Sequence, residues 1–464
     1  MRIKTLVTLI VLAASMGMQG KELKYIFYFI GDGMGMGHVM GAQTYKRIVA
    51  GDPDGLLMTQ FPVAGIAMTY SASSPVTDSA AAGTALATGH KTKNGMLGMA
   101  PDTTAVTSIA KTLHDDGYGV GICTSVGADD ATPGAFYAHV ARRSMYYEVG
   151  KDAAASGFDF IAGAGLRGLV DKNGKPTDLL NRLAKSGYSV VRGEDGLKTA
   201  KTDRVMLLNT DTVRTWNIGF TIDSLPETLT LPVITRACLD HLVKNSPDRF
   251  FMMVEGGNID HAAHANDGGA VIKEIINFDQ SLRIAYDFYL KHPDETLIVV
   301  TADHDTGGMA LGNPHLKYNV ELGYIDYQRM SKDNFSDVCK ALYQSGKSPT
   351  WDEMKQMLEE KFGFWKQVPV SEAQEKLLMK KFDATYHLRD SEDQKTLYNN
   401  FNAFAVAVFD TLDQVTGIGW TTTSHTGNPV PVFAIGTGAE KFAKINNNIE
   451  IPAKILELTE NDIR

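Results

Sequence analysis

Phe250-Phe251-Met252-Met253-Val254-Glu255-Gly256-Gly257-Asn258-Ile259-Asp260-His261-Ala262-Ala263-His264 opens with an unbroken apolar run that stops at a carboxylate and two glycines. A run this short, bounded in this way, reads as a strand buried on both faces. Beyond it Val271, Ile275, Phe278, Leu282, Ala285 and Tyr289 recur at steps of three and four, which puts one apolar stripe along a helix. Residues 297–300 form a second apolar run, ending in Thr301-Ala302-Asp303-His304-Asp305. Runs of the same kind occur at 25–30, 120–126 and 430–435. Strands alternating with helical patterns predict the α/β class, a mostly parallel central sheet with helices on both faces in a three-layer sandwich. In such sheets ligands sit beyond the carboxyl ends of the strands, where the Asp and His residues here collect.

The rest of the chain bounds this core. Its 464 residues are 44% hydrophobic, 21% charged and 9% aromatic, which excludes disordered, collagen-like and coiled-coil proteins. The formal net charge is -9 and no basic stripe occurs, so no nucleic-acid partner is expected. Residues 1–20 carry Arg2 and Lys4, an apolar run over 6–14, and small residues at Ser15, Gly17 and Gly20, the layout of a secretory signal peptide. That run is too short to span a bilayer, so no stable membrane insertion is expected once it is removed. The predicted destination is periplasmic or extracellular, and the predicted core domain is 21–464.

A helical insertion is expected at about 311–418. Thr350 with Glu353 and Ser371 with Gln374 have capping-box spacing, and Phe401, Phe404, Val408, Leu412 and Val415 form a further stripe. Cys123, Cys238 and Cys339 show no metal or disulfide spacing and read as core thiols.

Candidate chemistry lies at the strand ends. Ile30-Gly31-Asp32-Gly33-Met34-Gly35 is a tight turn that would also offer Asp32 as a hard oxygen ligand. Ser79 in Val76-Thr77-Asp78-Ser79-Ala80-Ala81-Ala82-Gly83 opens a helix of small residues, either as its N-cap or as a nucleophile whose phosphorylated form would rest on the helix N-terminus. Asp130-Ala131-Thr132-Pro133 suggests Thr132 as N-cap of a helix reaching toward Arg142 and Arg143, where a guanidinium would complement the dipole or clamp phosphate. Asp260 and His264, four apart, share one face of a helical turn and suit one metal ion. Asp303 and His304 form a second pair, and His425 a lone third histidine before the strand at 430–435. Four carboxylates and three histidines around one serine can supply two nitrogen/oxygen zinc sites and one oxygen-rich magnesium site.

The segments IGDGMG, VTDSAAAGTALATG, DATPGAFYAHVARR, VEGGNIDHAAH, VTADHDTGG and TTTSHTG, in this order, resemble the alkaline phosphatases, closer to their Bacillus-like branch. The resemblance implies an α/β core of that type and a phosphomonoesterase acting on small phosphate monoesters through a phosphoserine at Ser79. It implies one zinc on Asp260, His264 and His425, and a second on Asp32, Asp303 and His304. A magnesium would be held by Asp32, Thr132 and Glu255, Arg143 would bind phosphate, and a homodimer is admitted. Near the third metal this chain has Asp130 and His261, where the enterobacterial type has Asp and Lys and the animal type two His. These two residues are the weaker substrate-binding candidates, and they leave the third metal's identity open.

Other readings stand beside this one. A diesterase of the same superfamily would generally use Thr as nucleophile and lack third-metal ligands. A sulfatase would need Cys/Ser-x-Pro-x-Arg, whereas residues 79–83 read Ser-Ala-Ala-Ala-Gly. A non-catalytic binding module would be expected to have lost ligands.

Overall fold

The computed structural model describes residues 22–459 apart from 226, 227 and 347. The predicted signal peptide at 1–20 lies outside the described residues. Ten strands form the main sheet: β1 (Tyr25–Gly31), β2 (Val63–Met68), β3 (Gly119–Thr124), β4 (Phe160–Gly163), β5 (Tyr188–Arg192), β6 (Arg204–Leu208), β7 (Phe250–Glu255), β8 (Thr296–Ala302), β9 (Val430–Gly436) and β10 (Lys444–Asn447). Their order is β10-β2-β9-β8-β1-β7-β3-β4-β6-β5. All pairings are parallel except those of β9, which runs against both β8 and β2.

The five strand runs legible in the sequence are β1, β3, β7, β8 and β9. Every residue of β1, β3, β7 and β8 is buried, which is why they read as continuous apolar runs. Their register levels the strand ends: Ile30 lies beside Glu255 and Thr301, Gly31 beside Ala302, and Thr124 beside Glu255. The loops carrying Asp32, Asp130, Asp260 and Asp303 therefore start at one rim of the sheet.

Nine helices concern the site: α1 (Ser79–Thr88), α2 (Ala131–Gly134), α3 (Leu231–Asn245), α4 (Asn258–His264), α5 (Gly268–Tyr289), α6 (Lys332–Gln344), α7 (Trp351–Phe362), α8 (Glu372–Asp383) and α9 (Ala403–Thr416). The stripe Val271, Ile275, Phe278, Leu282 and Ala285 of α5 is fully buried in the main core. Capping boxes start α7 and α8 at Thr350 and Ser371. The sequence pattern gave three helices between 311 and 418, and α6 is a fourth, started by the Ser331 hydroxyl. Phe401 precedes α9 instead of belonging to it and sits in a two-strand pairing of Gln394–Lys395 with Asn400–Phe401. These helices enclose a hydrophobic core of their own around Phe335, Leu358, Phe362, Phe382, Phe404 and Val408. The segment leaves and rejoins the main body where Ala310–Leu311 pairs with Ile418–Gly419.

One buried cation joins the two bodies. Lys332, 1% exposed, donates from Nζ to the Ala265 carbonyl at 2.7 Å, while its backbone N–H donates to Asp267 at 2.8 Å. The three cysteines are free thiols and buried.

Candidate active site

Two capping assignments differ from the sequence reading. Asp78, not Ser79, is the N-cap of α1: its carboxylate accepts from the Ala81 N–H at 3.0 Å. A carboxylate one residue upstream outcompetes the serine hydroxyl, and Ser79 becomes the first helical residue with its side chain free for other work. Asp130, not Thr132, likewise caps α2, which ends at Gly134 and does not continue to Arg142 and Arg143. Arg143 reaches the site from a later turn, donating to Asp130 at 2.9 Å with Asp78 at 3.8 Å.

Ser79 is fully buried, and its Oγ lies 3.1 Å from His304 Nε2. The same Nε2 is 2.9 Å from Asp303 Oδ2 and 3.3 Å from Asp32 Oδ1. Asp303 turns Oδ2 inward because its Oδ1 accepts the backbone N–H groups of Gly33, at 3.0 Å, and His304, at 2.8 Å. The Gly33 turn is equally constrained: φ is +69°, and a Cβ there would stand 2.8 Å from Asp260 Oδ1.

The histidine partners fix their tautomers. His264 Nδ1 is 2.6 Å from the Thr423 carbonyl and His425 Nδ1 is 2.8 Å from the Thr77 carbonyl. A carbonyl only accepts, so both Nδ1 atoms carry a proton and Nε2 is the atom each ring can offer to a metal ion. Those two Nε2 atoms face each other at 3.0 Å, with Asp260 Oδ1 at 3.5 and 3.7 Å. His304 follows the same rule through Thr306, whose hydroxyl donates to Asp260 Oδ1 at 2.5 Å and so accepts from His304 Nδ1 at 3.2 Å. Three imidazole Nε2 atoms thus converge with carboxylate oxygens, and His304 stacks on His425 at 3.6 Å.

This donor set fits divalent metal ions. Asp260, His304 and His425 form one group with ligand atoms within 4.8 Å of one another, and Asp32, Asp303 and His304 form a second. Asp32 Oδ1, Asp260 Oδ2, Asp303 Oδ2, Glu255 Oε1 and Thr132 Oγ1 are buried without a hydrogen-bond partner. Orphaned acceptors are costly unless a cation meets them. Burial, with Asp303, Asp260 and Glu255 nearby, holds the Asp32 carboxyl well above its usual range. Burial also pushes Glu255 up to about 8, against a hydrogen bond from Thr124.

Asp130 behaves oppositely: against the upward pull of burial, Arg167 and Arg143 hold it at about 2. Arg167, at 3.3 Å from the second Asp130 oxygen, was not singled out by any motif. His261 Nδ1 accepts from Asn217 Nδ2 at 3.3 Å, because Asn217 Oδ1 is occupied by the Gly219 N–H. Its neutral ring therefore keeps the proton on Nε2, which makes it a donor and not a metal ligand. Thr306 lay within a quoted motif but had no visible role, and Tyr398, packed on His261 at 4.3 Å, comes from the helical region with no motif to mark it.

The family model for alkaline phosphatase matches residues 23–460. The chain belongs to the alkaline phosphatase family. Alkaline phosphatase 4 of Bacillus subtilis is 30% identical over 440 residues, covering 92% of this chain and 87% of that protein. Alkaline phosphatase 3 of the same species is 28% identical over 96% of this chain and 90% of that protein. Among solved structures, a cold-active alkaline phosphatase from a psychrophilic Shewanella has a TM-score of 0.77 at 26% identity, covering 94% of this chain and 99% of that one. The chain is accordingly a phosphomonoester hydrolase with the predicted fold. That relatives from Bacillus subtilis match over nearly the whole chain accords with the Bacillus-like resemblance read from the sequence.

Proposed function

We propose that this phosphatase cleaves phosphate monoesters through a phosphoserine at Ser79, with two zinc ions and one magnesium ion, after export from the cytoplasm. The observation that carries the reading is the convergence of three imidazole Nε2 atoms with orphaned carboxylate oxygens beside a buried serine. Asp260, His264 and His425 would hold one zinc, and Asp32, Asp303 and His304 the other. Asp32, Thr132 and Glu255 would hold magnesium. When bound, the ions would supply Lewis acidity for the charge that develops on the attacking and departing oxygens.

The chain's own residues do the rest. Ser79 gives up its hydroxyl proton as Oγ bonds to phosphorus and the ester oxygen departs, taking up a proton to leave as the alcohol; water then cleaves the phosphoserine, regenerating the serine hydroxyl and releasing inorganic phosphate. Ser79 stands at the first position of a ten-residue helix, whose N-terminal N–H groups and dipole favour an anion there. The Arg143 guanidinium, oriented by Asp130 and Asp78, offers paired donors to phosphoryl oxygens. The Nε2–H of His261 adds a neutral donor, and Asp130 acts through the arginines it holds. Export to the periplasm or beyond rests on the residue pattern at 1–20 alone. Among the described residues no helix is long and apolar enough to cross a membrane.

The test is hydrolysis of an aryl phosphate at alkaline pH by the metal-loaded protein, compared with Ser79→Ala and with chelated wild type. Both losses are expected, together with incorporation of one phosphoryl group on Ser79. Undiminished turnover in the alanine variant would sink the reading. So would turnover of diesters or sulfate esters that exceeds that of monoesters.

A further inference from the structure

A cavity of about 810 Å³ lies between the strand-end loops and the helical region, lined by Arg143, His261 and His264 from one side and by Tyr398 from the other. Its size falls in the range of small-molecule sites, about 300–1,000 Å³, and a phosphoryl group would fill only a small part of it.

Tyr398 stands at the tip of the hairpin formed by Gln394–Lys395 and Asn400–Phe401. The tip is tied down: Thr396 N–H donates to the Asn399 carbonyl at 2.8 Å, Asn399 Nδ2 donates to Asp333 of α6 at 2.8 Å, and Phe401 is buried. The phenol ring packs at a tilt of 49° against His261, with centroids 4.3 Å apart, and edge-on to His264 at 5.1 Å, yet 37% of the residue stays exposed. Trp216, 45% exposed, lines the same cavity from the core, where its carbonyl accepts from Gly127 N–H. Two exposed aromatic surfaces on anchored backbone in one cavity suit a flat apolar ligand.

The charges lining the cavity argue against a second anionic group. Arg167 is engaged by Asp130 and by the Tyr146 hydroxyl at 2.6 Å, and Arg214 faces Asn334 at 3.4 Å. Asp333 and Asp337 lie in the same lining, so Arg167 and Arg214 do not add up to a cationic pocket. Arg143 is left to the phosphoryl group.

We propose that the helical region supplies one side of a leaving-group subsite, in which Tyr398 and Trp216 hold the ring of an aryl or nucleoside-type alcohol whose phosphoryl group sits at Ser79. The assignment rests on the phosphomonoesterase reading above.

It is tested by steady-state kinetics of wild type, Tyr398→Phe, Tyr398→Ala and Trp216→Ala on an aryl phosphate, a nucleoside monophosphate and glycerol phosphate, with metal content measured for each protein. Tyr398→Ala is expected to lower the ratio of kcat/KM for ring-bearing esters over glycerol phosphate roughly 10-fold, mainly through KM, as stacking contacts of this kind are worth. Trp216→Ala should move the ratio the same way, and Tyr398→Phe should keep it within about 2-fold, since the ring is retained. The inhibition constant of inorganic phosphate, which has no leaving group, should change less than about 2-fold in Tyr398→Ala. An unaltered ratio overturns the subsite. So does an equal loss on all esters with weakened phosphate inhibition or lost metal, which would mean that Tyr398 serves by packing on His261 and His264. Failure of wild type to hydrolyse glycerol phosphate in a chelator-sensitive way would instead sink the function itself.

Discussion

Replacing Thr306 by valine exchanges one hydroxyl for a methyl of similar size and should disable both histidine chemistry and carboxylate orientation at once. The hydroxyl donates to Asp260 Oδ1 at 2.5 Å and accepts from His304 Nδ1 at 3.2 Å. The first bond has a charged acceptor and is worth about 1.5–3 kcal/mol, and the second about 0.5–1.5 kcal/mol. Because both act on the same constellation they are not additive, so the net loss should lie near 1.5–3 kcal/mol, or about 10- to 100-fold, the usual cost of removing a group that orients a metal ligand. With the acceptor gone, His304 also loses its reason to keep Nε2 bare toward Asp303 and Asp32. The assay is chelator competition for metal affinity, beside kcat/KM on an aryl phosphate at saturating metal, with Thr306→Ser as the hydroxyl-bearing control. The serine variant should recover most of the loss. If Thr306→Val matched wild type within about 2-fold in both affinity and rate, the tautomer argument would be wrong.

Two further outcomes follow from buried groups away from the reacting atoms. Lys332→Met should cost about 1–3 kcal/mol in denaturant unfolding, because it takes the Nζ donor away from the Ala265 carbonyl at a buried position; a change below about 0.5 kcal/mol would mean the cation is dispensable. Burial pushes Glu274 of α5 up to about 7, against hydrogen bonds from Thr221. Its folded pKa is therefore above the unfolded value, so its contribution is fully present below about 4.5, declines as pH rises, and levels off above about 7, a total of about 3 kcal/mol. Glu274→Gln should be more stable than wild type at pH 8 and lose that advantage toward pH 4, as read by denaturant titrations, and parallel pH profiles would count against the assignment.

How much was legible in the sequence depended on burial and on distance along the chain. Strands β1, β7 and β8 announced themselves because they lie inside the sheet with both faces covered, so nearly every position is apolar. Strand β2, at Val63–Met68, did not, since only Ala67 among its residues is buried. The histidines and carboxylates were visible because each sits in its own motif beside a strand end, at or after that end for all but His425, which precedes the strand Val430–Gly436. The caps were misread because aspartate precedes both Ser79 and Thr132, and a carboxylate one or two residues upstream takes the capping role. Thr306, Arg167 and Tyr398 act across the fold, on partners brought near only by the sheet register or by the docking of α6 to α9, and no local pattern encodes such contacts.

The placement of His425 bears on how the enzyme is made. It reaches back to the Thr77 carbonyl across 348 residues, and the neighbouring strand Val430–Gly436 slots in against the grain between β8 and β2. A growing or partly folded chain holds Asp32, Ser79, Asp260 and His304 long before it holds the last histidine. Such sequence-distant closure is slow to form, and a metal ion held by His425 together with earlier residues, as proposed above, would act as a clasp, because binding energy gained only by the closed chain becomes folding energy. Chelation should therefore loosen the strand Val430–Gly436 as well as stop catalysis, and metal capture should accompany the docking of that strand.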